Sequence, residues 1–203
     1  CALPICAAGA RVVLGSAGCV GPKVPWSKGT SEEMNLNLCE LRNHDIRLAA
    51  SEGVGFADVF WPMFTAGHAA VQRHGDSYTI AGGDGVHPGW AGSFVMAYAF
   101  LKGLGLDGDI GTFTLDIPSG KATASGGHEV VSDTTPGEAT FRSHRYPFCA
   151  PEGDPAKSDN IRSAWSLVPF NQELNRLRLV VTGASPGVSY RVDRKSTRLN
   201  SSH

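Results

Sequence analysis

Asp84 and His87 stand three residues apart in the stretch Gly82-Gly83-Asp84-Gly85-Val86-His87-Pro88-Gly89-Trp90. A carboxylate and an imidazole at that spacing can pair, the carboxylate fixing one ring nitrogen while the other is left to take a proton. That is the orienting residue and general base of acyl transfer; the third requirement is a nucleophilic Ser or Cys within hydrogen-bond reach. A bare Asp-x-x-His also suits a solvated turn, because Asp and Gly favour turns for reasons of their own.

The flanking residues must position this pair. After Gly89 the apolar residues Trp90, Phe94, Ala97, Leu101 and Leu104 recur at helical spacing, with Pro88 suited to the first turn, so a helix is predicted to Leu104. His87 then sits at a helix mouth, where the partial positive charge disfavours imidazolium and the neighbouring carboxylate favours it. Before the loop, Tyr78 to Ala81 reads as a short strand.

The string Asp84-Gly85-Val86-His87-Pro88, between that strand-like run and the helix, resembles the last conserved block of SGNH (GDSL-type) esterases. The resemblance implies that Asp84 and His87 are the acid and base of a Ser-His-Asp triad. It also implies a flavodoxin-like α/β fold with a parallel sheet, a small ester substrate, acylated carbohydrates included, and no cofactor or metal. It covers roughly residues 11 to 106. A branch of large bacterial GDSL-like proteins extends it through Phe170-Asn171-Gln172-Glu173-Leu174-Asn175 to Tyr190-Arg191-Val192-Asp193, after which Trp-Gly is expected and Arg194-Lys195 stands instead.

In that family the nucleophile lies in a Gly-Asp-Ser block on the first strand, and the oxyanion hole draws on that Ser and on a Gly and an Asn from later blocks, all before the final Asp-x-x-His. The chain is therefore expected to be the C-terminal portion of such an enzyme, with its nucleophile elsewhere and almost no activity alone. Gly75-Asp76-Ser77 spells the signature but follows a helix pattern instead of a first strand; a helix-ending glycine and a polar turn account for it. Gly15-Ser16-Ala17-Gly18 reads as a plain loop, Asp58 as a turn cap, and Trp26 and Trp61 as walls of an acyl pocket or simple core aromatics.

Bulk properties set the outer limits. With 203 residues, 41% apolar and 18% charged, the chain can bury a sizeable core, and its net charge of -1 leaves no basic footprint for nucleic acid. No apolar run approaches a membrane span, and the compartment is not specified, a periplasmic or extracellular one staying open. Cys1, Cys6, Cys19, Cys39 and Cys149 form no Cys-x-x-Cys pair, and His44, His68, His74, His128 and His144 have no metal-ligand spacing.

Along the chain, Arg11 to Gly15 reads as a buried strand. Thr30-Ser31-Glu32-Glu33 reads as a capping box opening a helix that carries Met34, Leu38, Leu41 and Leu48 and ends at Gly53. Val54 to Phe60 follows as a strand closed by Pro62, and Phe64 to Arg73 as a short helix before Gly75. Strand and helix alternate, so the strands near 11–15, 54–60 and 78–81 are expected to be parallel neighbours, with one side of the sheet unfinished.

Beyond Leu104 the pattern turns to strands: 110–116 and 122–124 around Pro118-Ser119-Gly120, then 129–131, 139–141, 177–182 and 189–192, with a long loop from Pro147 to Asp159. The expected domains are 7–104, the C-terminal part of an SGNH-like α/β domain; 105–193, a β-rich extension; and 194–203, a tail resembling translated sequencing-adapter sequence. A second functional reading is a carbohydrate- or protein-binding module on a degenerate hydrolase scaffold, residues 105 to 193 doing the binding.

Overall fold

The structure, a computed structural model, describes residues 3–135 and 138–193; the tail at 194–203 lies outside the described residues. In chain order the elements are α1 Leu3–Ala7, β1 Val13–Gly15, α2 Ser31–Glu52, β2 Gly55–Ala57, α3 Phe60–His74, α4 Trp90–Gly103, β3 Asp109–Asp116, β4 Ala122–Ala124, β5 His128–Thr135, β6 Glu138–Ser143, α5 Ile161–Ala164, α6 Phe170–Glu173 and β7 Arg176–Thr182. They form a mixed α/β fold in two compact units. Among the described residues the first comprises 3–110 with 146–177, the second 111–135 and 138–145 with 178–193.

In the first unit β1 and β2 pair in parallel, Val13 opposite Gly55 and Gly15 opposite Ala57. Helix α2 begins at the expected capping box: Thr30 Oγ1 accepts the Glu33 N–H at 3.1 Å while Glu33 Oε2 accepts the Thr30 N–H at 3.3 Å. Gly53, in the left-handed region at φ 63°, ends it.

Two expectations fail here, each for a tertiary reason. Strand β2 stops at Ala57, and Phe60 already begins α3. The Ser16 hydroxyl at the end of β1 accepts the Val59 and Phe60 N–H groups at 2.9 and 3.1 Å, and Asp58 Oδ1 accepts that of Trp61 at 3.2 Å. These caps start the helix early, and Pro62 sits in its first turn, where proline is tolerated.

Residues 78–81 form no strand. Tyr78 N–H bonds Gly75 O and Gly82 N–H bonds Thr79 O, successive turns that bury Tyr78, Ile80 and Ala81 against the helices, so the parallel sheet keeps two strands. Helix α2 runs where expected and is only lightly covered. Ala49 alone is fully buried, Leu38 and Cys39 pack partly, and Leu36, Leu41 and Leu48 are exposed.

The core lies around α3 and α4, where Phe60, Met63, Ala66, Ala91, Phe94, Val95 and Tyr98 are buried together. The returning segment 146–177, which carries the short helices α5 and α6, adds Ala164, Val168, Phe170 and Leu174 to that core. Phe94 meets Phe170, Trp165 and Phe148 at ring-centroid distances of 5.0, 5.7 and 6.2 Å. Across α4, Tyr98 Oη donates to Glu173 Oε2 at 2.8 Å, and Lys102 Nζ lies 2.8 Å from the same oxygen.

The second unit is β-rich. Its three-stranded sheet has the order β4-β3-β7, and the expected β3/β4 hairpin pairs antiparallel, Phe113 opposite Ala124. Strands β5 and β6 form a separate antiparallel pair, with Phe113 and Phe141 rings 4.7 Å apart in the same unit. The Pro186-Gly187 turn forms, but residues 189–192 make no strand, having no backbone ladder partner among the described residues.

Candidate active site

The loop from Gly82 to Gly89 is held by close backbone approaches that only glycine permits. Gly82 and Gly85 both adopt φ 84°; a Cβ on the first would lie 2.0 Å from His87 O and on the second 2.3 Å from Lys23 O. The loop is then pinned from two sides. Gly21 N–H donates to Gly85 O at 2.9 Å and Trp26 Nε1–H to Asp84 O at 3.2 Å. From the returning segment, Ser158 O accepts the Ala91 N–H at 3.2 Å, in the uncapped first turn of α4.

Within this frame Asp84 Oδ2 lies 2.6 Å from His87 Nδ1. Asp84 Oδ1 accepts the N–H groups of Val86 and His87 at 3.1 and 3.0 Å. A carboxylate can only accept, so Nδ1 carries the proton, and in the neutral ring Nε2 is left with its lone pair. No hydrogen bond to Nε2 is made among the described residues. The His87 side chain is 86% exposed, so an incoming hydroxyl has room to reach it.

The bond from His87, and after it the two backbone N–H groups, pull the Asp84 carboxyl down from 3.8 to about 2. A carboxyl depressed on folding contributes stability above its ordinary value and loses that contribution as pH falls through the folded value. The loop pairing is therefore expected to persist down to about pH 4 and to be lost as pH approaches 2. The 13C shift of the Asp84 carboxyl is the measurement: a midpoint near 2 is expected, and one at the ordinary value would mean that the pair does not form in solution.

The other residues singled out in the sequence fall elsewhere. Ser77 is exposed in the turn after α3, and no bond joins it to His87 among the described residues. The Ser16 hydroxyl is occupied by the two N–H groups it caps. Asp58 caps α3 and pairs with Arg42, whose guanidinium lies 5.9 Å from the Trp61 ring centre. Trp26 braces the loop backbone.

Ser158 and Gly21 carried no signal in the sequence, since a contact between distant loops leaves no local period. No cluster of three or more potential metal ligands occurs among the described residues, and no helix there is long and apolar enough to cross a membrane.

No family model matches the sequence, and no curated protein matches it. Among solved structures, that of a gut microbial diltiazem-metabolizing enzyme is similar, with a TM-score of 0.65 and 22% identity over 84% of this chain and 40% of that one. The chain thus spans about two-fifths of that enzyme's length. At this identity the likeness is one of fold: the mixed α/β architecture seen here also occurs within a metabolizing enzyme.

Proposed function

We propose that this chain supplies the Asp-His half of an SGNH-type serine esterase, with residues 7–104 forming the C-terminal part of a flavodoxin-like hydrolase domain and the serine residing on a segment outside this sequence. The observation that carries the reading is the Asp84–His87 pair, 2.6 Å apart with the Nδ1 proton directed to the carboxylate and Nε2 open to solvent. Two further features support it. Among the described residues the parallel sheet has two strands, and the apolar residues Leu41 and Leu48 of α2 are exposed, as expected if more of the domain packs there.

In the proposed reaction the serine hydroxyl oxygen bonds to the ester carbonyl carbon as its proton moves to His87 Nε2. Asp84 stabilises the resulting imidazolium. The tetrahedral intermediate collapses, the bond to the alcohol oxygen breaks, and that oxygen leaves with the proton from Nε2. Water, deprotonated by the same nitrogen, then releases the acid and regenerates the serine.

A serine-directed fluorophosphonate tests this. The chain as given is expected to stay unlabelled, and a longer protein that includes the preceding segment to be labelled and to hydrolyse 4-nitrophenyl acetate. Diltiazem, which the structurally similar enzyme metabolizes, belongs in the same substrate panel. Labelling of Ser77 in this chain would relocate the nucleophile. A longer protein that neither labels nor hydrolyses an ester, yet binds a glycan through residues 105–193, would replace the esterase by a binding module.

A further inference from the structure

Between the 19–23 loop, the start of α2, one side of α3 from Phe60 to Val71, and the buried Tyr78 and Ile80 lies a cavity of about 660 Å³ within the first unit. The volume is in the range of small-molecule sites. Two of its walls follow the parallel strands along the chain, the 19–23 loop after β1 and α3 after β2, and loops after such strands are where α/β folds bind ligands.

The lining is mainly apolar. Val20, Phe60, Phe64, Val71 and Ile80 present carbon, and Trp61 adds an aromatic edge, its ring T-shaped to Phe64 at 5.7 Å. Of the polar residues of the wall, Asn35 bonds both the N–H and the carbonyl of Val20 at 2.9 and 3.2 Å, Ser31 Oγ donates to Glu32 Oε2 at 3.3 Å, and His68 and Asp76 are exposed. The Cys19 thiol is pushed up to about 11 by burial and presents a neutral, apolar sulfur near neutral pH. Charged side chains such as Lys23 and Glu32 are exposed.

The wall and the Asp84–His87 loop share a segment. Gly21 lines the cavity and also donates to Gly85 O, and Trp26, a few residues on, holds Asp84 O.

We propose that this cavity binds the uncharged, ring-bearing or branched apolar portion of the substrate, so that the enzyme favours bulky apolar esters over acetate. The nature of the ligand rests on the esterase reading; the existence of an apolar site does not. The aromatic edges and the mainly apolar wall favour flat, neutral groups, the charged residues that line it, Lys23, Glu32 and Asp76, all being exposed to solvent.

The test uses the chain as it stands with the neutral dye N-phenyl-1-naphthylamine, whose fluorescence rises in apolar surroundings. One dye per chain is expected to bind, displaced by 1-octanol. Val71→Trp, which fills the cavity, and Phe64→Asp, at a ring already 40% exposed, are each expected to weaken binding at least about tenfold. Leu179→Asp, in the other unit, is expected to leave it unchanged. If Val71→Trp fails to fold by circular dichroism, Phe64→Asp carries the test.

Unchanged affinity in the cavity variants, or equal weakening by Leu179→Asp, would overturn the proposal. Failure of the longer protein to react with fluorophosphonate, with this dye pattern intact, would remove the esterase reading alone. Labelling with no cavity-dependent binding would remove this inference alone.

Discussion

In a longer protein that brings a serine to Nε2, His87→Ala is expected to lower kcat by on the order of 10⁴- to 10⁶-fold, since a triad acts as a unit and losing its base costs nearly as much as losing all of it. The substitution removes an exposed ring, and the backbone N–H of residue 87 can still reach Asp84 Oδ1, so the fold is expected to survive and KM to change little. Asp84→Asn serves as the companion. It keeps an acceptor for the Val86 and His87 N–H groups but reduces the preference for the Nδ1–H tautomer, so a loss of several decades with intact circular dichroism is expected. A residual rate within tenfold of the parent for either variant would show that the pair is a turn and not a base.

The parts of this site legible in the sequence were those decided within a few residues. Asp84 and His87 announce themselves by spacing, Thr30 and Glu33 form the expected box because both partners lie in one turn, and Gly53 and Gly75 end their helices as they must. What could not be read depended on partners far along the chain. Phe60 is helical because a hydroxyl from Ser16 meets its N–H.

Tyr78 to Ala81 has strand composition but meets the helices of the core, where Gly92 of α4 comes so close that a Cβ would lie 2.1 Å from Ile80 O. Leu41 and Leu48 follow helical spacing yet stay exposed among the described residues, because periodicity marks an apolar face without naming its partner.

Phe94→Ala is expected to be the most damaging single core change, at about 3–5 kcal/mol. The ring is 7% exposed and is clasped by Phe170, Trp165 and Phe148, which arrive on the returning segment, so α4 and residues 146–177 are joined through it. The hole left by truncation cannot readily close, since its walls are stiff aromatic planes fixed on separate elements, and the residual-cavity cost adds to the lost transfer energy. For a chain of this length the change corresponds to a fall of roughly 6–20 °C in Tm.

Phe94→Leu, which retains most of the volume, is expected to cost less than half as much. Hydrogen exchange adds a readout that reaches the site: Ser158 on the same segment holds the Ala91 N–H beside the His87 loop, so residues 84–92 are expected to lose protection together with 158–170. A loss below about 1 kcal/mol, within the range of surface substitutions with small consequences, with protection of 84–92 unchanged, would show that the returning segment does not brace the loop and that the 82–89 glycine turn holds Asp84 against His87 unaided.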